Sequence, residues 1–140
     1  RRISHVFVMD VPAYDRLLLV TDSAINIEPT LAEKADIVRN AIDLAHVLGV
    51  SMPKVAILSA VETVNPNIRS TLDAAALCKM ADRGQIQGGI LDGPLAFDNA
   101  ISEHAARTKS IRLWQSRTCA TFTVTVTPAI STTSWLQSNW

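Results

Sequence analysis

The sequence predicts an α/β protein: a doubly wound, mostly parallel sheet with helices on both faces, three layers deep. Three observations carry that expectation. Short apolar runs of strand length alternate with longer stretches of helical periodicity, in the order strand, helix, strand, helix, strand, helix. Two helical stretches open on patterns that suit a helix start, TLAE at Thr30 to Glu33 and STLD at Ser70 to Asp73. The 140 residues are 48% hydrophobic and 19% charged, enough apolar material for one domain with a sizeable core.

Taken in order, SHVFVMD and RLLLVTD are two short apolar runs flanking VPAYD, where Pro12 and Asp15 supply turn chemistry. Leu17 to Thr21 is the stronger strand, and DSAINIEP behind it is a polar loop. Thr30 then caps a helix, with Glu33 placed to reach back to the cap amide. Leu31, Ala35, Val38, Ile42 and Ala45 form its apolar face, and Gly49 ends it in a left-handed conformation. VAILSA after Pro53-Lys54 is too short for a typical helix and reads as a strand buried on both faces. The loop VETVNPNIR leads to a second helix, capped by Ser70, faced by Leu72, Ala75, Ala76 and Met80, and stopped near Arg83-Gly84. Ile86 to Leu91 is the third strand, with Gly88 and Gly89 marking a close backbone approach. Asp92-Gly93-Pro94 reads as a turn, and a third helix runs from Phe97 to Lys109 with Asp98 at its positive end.

In an open parallel sheet, ligands settle beyond the carboxyl ends of the strands. The loops expected there hold Asp22, Asn26, Glu62, Asn65, Arg69, Asp92 and Asp98. Each has an ordinary explanation: turn formers at Asp92 and Gly93, a turn starter at Asn65, a helix cap at Asp98, a solvated cation at Arg69. Each also has a functional one. Arg69 precedes a helix, so guanidinium and helix-start amides together suit a phosphate.

Other classes are excluded by the same inventory. Thirteen acids balance thirteen bases with no basic run, which argues against nucleic acid as a partner. Cys78 and Cys119 lack Cys-x-x-Cys spacing, and Cys78 lies on an apolar face as a small core residue. His5, His46 and His104 share no metal-ligand spacing, so no metal site is expected. There is no Gly-rich phosphate loop, nucleophile elbow or dinucleotide fingerprint. The apolar run behind Arg1-Arg2 is broken by Asp10 and Pro12, too soon for a signal core, and no stretch has the length of a membrane span. A cytoplasmic location is the expectation, and the absent initiator Met points to a trimmed or partial chain.

The run KVAILSAVETVNPNIRSTLDAAALCKMADRGQIQGGILDGPLAFDNAIS resembles the phosphate acetyltransferase and phosphate butyryltransferase family. It is most similar to the form found in bifunctional enoyl-CoA hydratase/phosphate acetyltransferases. LLLVTDSAINIEPTLAEKADIVRNAIDLAHVLGV fits the same pattern, so the likeness spans residues 1–111. It implies transfer of an acetyl or butyryl group between coenzyme A and inorganic phosphate. Coenzyme A is then a substrate, no resident cofactor or metal is needed, and the whole protein has two α/β domains and forms a homodimer. On this likeness Ser59, Asn65 and Arg69 are donors on the phosphate and acyl side, and Asp22 and Asp92 position them. Asn26 and Gly93 belong to the same substrate-binding loops.

The resemblance stops after Ile111. There the family continues with a Pro-Asp-Leu-Glu-x-Gly-Asn motif and, further on, a catalytic Ser-Arg pair and an Asp. RLWQSRTCATFTVTVTPAISTTSWLQSNW instead has no acid, all three tryptophans and many Thr and Ser. Residues 1–111 are thus expected to form the α/β domain and 112–140 a tail that is out of frame or otherwise aberrant, whose TFTVTVT covers an open sheet edge or aggregates. No catalytic residue is assigned, and the chain alone is expected to be inactive. A different class remains open: a non-catalytic α/β module that binds acyl phosphate, coenzyme A or another subunit. An isopropylmalate-dehydrogenase-like oxidoreductase would need metal-binding carboxylates and a cofactor loop, and the sequence offers neither.

Overall fold

The computed structural model describes residues 1–12, 17–22, 24–101 and 121–125. The expected turn at Asp15, the third helix from 102 to Lys109, His104, Cys119 and the tail apart from 121–125 lie outside them. The elements run β1 (Phe7–Met9), β2 (Leu18–Thr21), α1 (Leu31–Val47), β3 (Lys54–Leu58), α2 (Arg69–Asp82), β4 (Ile90–Leu95), α3 (Phe97–Ile101) and β5 (Thr121–Thr125). One five-stranded sheet has the order β1-β2-β5-β3-β4. β1 is antiparallel to β2, and the other pairings are parallel.

The alternation read from the sequence becomes layers because the residues of β3 point alternately to opposite sides. Val55 and Ile57 join Leu19 under α1 and α2, packing with Ile37, Val38, Ile42, Ala74 and Leu77. Ala56 packs on the other face with Leu95 and with Ala100 of α3, and Leu58 leans against them. Helices therefore cover both faces of a mixed, mostly parallel sheet. Both sides of β3 are buried, which is why VAILSA lacks the alternation of a half-exposed strand.

α1 starts as its sequence dictates. The Thr30 side chain accepts from the Glu33 amide, and Glu33 Oε2 accepts from the Thr30 amide at 2.8 Å. Such a cap contributes about 1 kcal/mol. Gly49 follows the helix at φ 88°, the left-handed position that glycine occupies without strain.

Three expectations are corrected. Ser70 does not cap α2: the helix begins one residue earlier, Ile68 is the cap residue, and no side chain bonds the cap amides. The Ser70 hydroxyl lies inside the helix and meets the Ser59 hydroxyl at 2.7 Å. Secondly, the buried face of α2 is Ser70, Thr71, Asp73, Ala74 and Leu77, while Leu72 is 42% exposed. Polar residues occupy that face because their partners are buried with them. Thirdly, Asp92-Gly93-Pro94 is not a turn. β4 starts at Ile90 and runs through it, with a cis Gly93–Pro94 peptide. Proline is tolerated there because β4 is an edge strand in the described sheet, and its pairing with β3 shifts register between Ala56 and Leu58.

Gly89 is the expected close approach: a Cβ there would meet the Pro53 carbonyl oxygen at 3.0 Å. β5 covers no outer edge. It inserts between β2 and β3, with Val124 in register with both Thr21 and Ile57.

Candidate functional site at the carboxyl edge of the sheet

The parallel strands end together. Thr21 and Ile57 are level through Val124, and Leu58 pairs with Leu95. Asp22 and Ser59 thus leave the sheet at nearly one height, about 10 Å apart across the intervening strand. The connectors behind β2 and β3 rise from this edge, and Ala96 leads from β4 directly into α3.

Asp22 follows Thr21 through a cis peptide bond and is 7% exposed. One carboxylate oxygen accepts the amides of Ala24 at 3.0 Å and Ile25 at 3.1 Å, and the other accepts the Asn26 side-chain amide. Burial opposes its charge, but these donors and the His5 backbone outweigh it and hold the carboxyl below its ordinary value. Asn26 extends the network, donating to the Ile3 carbonyl at 3.0 Å and accepting from Arg2 Nε at 2.7 Å. Together they fix the first connector to the N-terminal segment.

Ser59 ends β3. Its amide donates to the Leu95 carbonyl at 2.9 Å, and its hydroxyl meets Ser70 in the first turn of α2. Asn65 shapes the second connector: its side-chain oxygen accepts the Asn67 amide at 2.9 Å, and Thr71 Oγ1 bonds both its amide and its carbonyl. Arg69 stands at the same helix start with its side chain 66% exposed, 3.8 Å from Glu28 and 3.9 Å from Asp73. Glu28 belongs to the connector behind β2, so this pair ties the two connectors together.

Ser59, Asn65 and Arg69 are therefore gathered around the start of α2, and Asp22 and Asn26 form a second cluster at the end of β2. Asp92 and Gly93 join neither. They sit inside β4, where Asp92 pairs with Ala56, three residues short of the strand end at Leu95. Glu62 lies in the second connector, and Asp98 is exposed in the first turn of α3.

A buried ion pair between Lys34 and Asp73 escaped the sequence reading, with side-chain exposures of 5% and 11%. It joins the first turn of α1 to α2, where Asp73 lies one turn along from Arg69. The sequence carried one signal. Lys34 falls on the stripe of Val38, Ala41 and Ala45, a charge at a core position.

Asp92 has the opposite electrostatics to Asp22. Burial raises its pKa, against the lowering effect of the Gly93 amide, which its own side chain accepts at 2.9 Å. Nearby Cys78 donates weakly to the Gly93 carbonyl at 3.7 Å, and burial, with the Asp92 charge behind it, pushes its thiol up to about 12. That thiol stays protonated at neutral pH, as a core residue would. The two carboxylates predict opposite pH effects. Asp22 stabilises the fold above the ordinary carboxyl value, and that contribution is lost as pH falls through its depressed folded pKa. For Asp92 the unfolded chain releases its proton first, so stability falls as pH rises from the ordinary carboxyl value through the raised folded one. Asp92→Asn keeps the acceptor for the Gly93 amide and removes the buried charge. It is expected to raise stability at pH 7 and to leave it unchanged at pH 3 in urea denaturation. Equal loss at both pH values would show that the carboxyl group makes a contact, in either protonation state, that the amide cannot.

Residues 1–135 match the family described as phosphate acetyl/butaryl transferase. The chain belongs to that family. Among curated members of the phosphate acetyl/butaryl transferases and their kin, it is 67% identical over 111 residues to a phosphate acetyltransferase of Rhizobium meliloti. That match covers 79% of this chain and 35% of the relative. It is 57% identical over 109 residues to a probable phosphate butyryltransferase of Bacillus subtilis, covering 78% of this chain and 36% of the relative. The chain thus spans about a third of the length of the curated relatives it matches. Its structure is similar to a branched-chain phosphotransacylase from Enterococcus faecalis, at 34% identity and a TM-score of 0.70. There 87% of this chain covers 42% of the other.

Proposed function

We propose that this chain takes part in transferring an acetyl or butyryl group between coenzyme A and inorganic phosphate, with the connectors behind β2 and β3 on the phosphate and acyl side. One observation carries this most directly: at the carboxyl edge, the first turn of α2 has no side-chain cap, and exposed Arg69 stands beside it. Helix-start amides and a guanidinium are complementary to a phosphate's charge and its oxygens. In the direction of acyl-CoA synthesis, the coenzyme A sulfur attacks the acyl carbonyl carbon and the carbon–oxygen bond to phosphate breaks. Phosphate leaves with the electron pair. A thiol of pKa about 8.5 is mostly protonated at neutral pH, so a base must take its proton. Among the residues named here, Arg69 is proposed to hold the phosphate, with the Ser59 and Ser70 hydroxyls beneath it. Asn65 shapes the loop around it. Asp22 and Asn26 brace the neighbouring connector, and Asp92 and Gly93 contribute only through the pairing of β4 with β3. None of them is assigned as that base.

The run from Lys54 to Ser102 supports a likeness to the phosphate acetyltransferase part of bifunctional enoyl-CoA hydratase proteins. A cytoplasmic homodimer is the expectation for the whole protein on the family resemblance.

Thiol release from acetyl-CoA or butyryl-CoA with phosphate, measured for this chain and for a longer polypeptide carrying the remaining family segments, tests the proposal. Release by the longer polypeptide supports it, and release by neither overturns it. In the active polypeptide, Arg69→Gln is expected to raise the KM for phosphate about tenfold, the loss of one charge-assisted contact. An unchanged KM would remove Arg69 from the phosphate side.

A non-catalytic module that binds the same anions is the second reading. In its favour, the polar side chains of Asp22, Asn26, Ser59 and Asn65 all make hydrogen bonds inside the fold. Phosphate binding without thiol release in the longer polypeptide would establish it.

A further inference from the structure

We infer that Glu28 is a built-in competitor for Arg69: it sets the anion affinity of the α2 start and is displaced when a phosphate docks. This role for Glu28 rests on the phosphate reading of Arg69 proposed above, and it concerns what regulates that contact.

Four charged side chains run in a line from the interior to the surface. Lys34 is buried against Asp73, Asp73 lies 3.9 Å from Arg69 Nε, and Arg69 Nη1 lies 3.8 Å from Glu28. Lys34 neutralises Asp73 at close range, so little of that carboxylate's charge is left for Arg69. The balancing charge for the guanidinium comes from Glu28. Their separation is too long for a hydrogen bond. Side-chain exposures of 66% and 69% leave both groups in water, where such pairs are weak and screened by salt. A phosphate can take two parallel N–H bonds from the same guanidinium and brings greater charge. It therefore wins the contact, at a discount equal to the strength of the pair it breaks.

That discount is small and can be calculated. Exposed pairs correspond to about 1.5- to 5-fold in an equilibrium constant, so removing the Glu28 charge should tighten phosphate by that factor. Displacement also cuts the tie between the connectors behind β2 and β3, because Glu28 lies on the first and Arg69 follows the second. Occupancy of the α2 start is thereby communicated to the Asp22 loop.

Inorganic phosphate titrated into the full chain at low ionic strength, by calorimetry or NMR, provides the test. Four forms are compared: wild type, Glu28→Gln, Arg69→Gln and the double variant. Glu28→Gln is expected to bind about 1.5- to 5-fold more tightly than wild type, with the advantage shrinking as salt is added. In the Arg69→Gln background the same substitution should give no gain. Equal affinity in wild type and Glu28→Gln, with Arg69→Gln weakened, overturns the role of Glu28 alone. A gain of equal size in both backgrounds also overturns it, since the effect would then be general charge rather than competition for Arg69. Wild-type affinity in Arg69→Gln overturns the phosphate reading beneath it.

Discussion

Asp73→Ala is expected to lower the unfolding free energy of the chain by about 3–5 kcal/mol in urea or guanidinium denaturation. The carboxylate is the buried partner of Lys34, whose side chain is only 5% exposed. Removing it strands an ammonium in the core between α1 and α2, where water cannot replace the lost charge. Lys34→Ala should be comparably damaging, since it leaves Asp73 with Arg69 alone at 3.9 Å. Removing both charges should not be. Lys34→Met combined with Asp73→Leu keeps the side-chain shapes approximately and eliminates the desolvated pair, so the double variant should be far more stable than either single one. A loss under 1 kcal/mol for Asp73→Ala would mean that Lys34 reaches water by another route.

The same pair explains what could and could not be read from the sequence. The layer order was legible because it depends on local chemistry: the TLAE cap of α1, the Gly49 stop, and the unbroken apolar run of β3. The face of α2 was not. A polar residue there normally marks the solvent side, and Ser70, Thr71 and Asp73 are buried only because Ser59, Asn65 and Lys34 meet them from elsewhere in the chain. Those partners are 11, 6 and 39 residues away. Periodicity holds no information about such pairings.

At the site, the connectors behind β2 and β3 were legible because their turn residues follow strands of clear pattern. The third was misplaced. Asp92-Gly93-Pro94 has the composition of a turn, yet β3 pairs with the strand that runs through it, and the true strand end is Leu95. A proline in an edge strand at a register shift contradicts local propensity, and only the tertiary pairing resolves it.

Gly93 is where that pairing is tightest, and Gly93→Ala is expected to cost about 1–3 kcal/mol as an overpacking substitution. A Cβ there would stand 2.7 Å from the Ile57 carbonyl oxygen and 2.8 Å from the Ile57 Cβ. These are backbone and first side-chain atoms, so no change of rotamer relieves them. Ile57→Val therefore should not rescue the variant, because valine keeps both offending atoms. β4 must instead move away from β3, and the bond most exposed to that shift is the 2.9 Å contact from the Ser59 amide to the Leu95 carbonyl. Gly93→Ala should then speed hydrogen exchange at the Ser59 amide more than at amides of α1, which packs mainly on α2, β2 and β5. A small loss of stability with unchanged Ser59 protection would show that the strands can absorb a methyl group here. The glycine would then be dispensable to the geometry of the site.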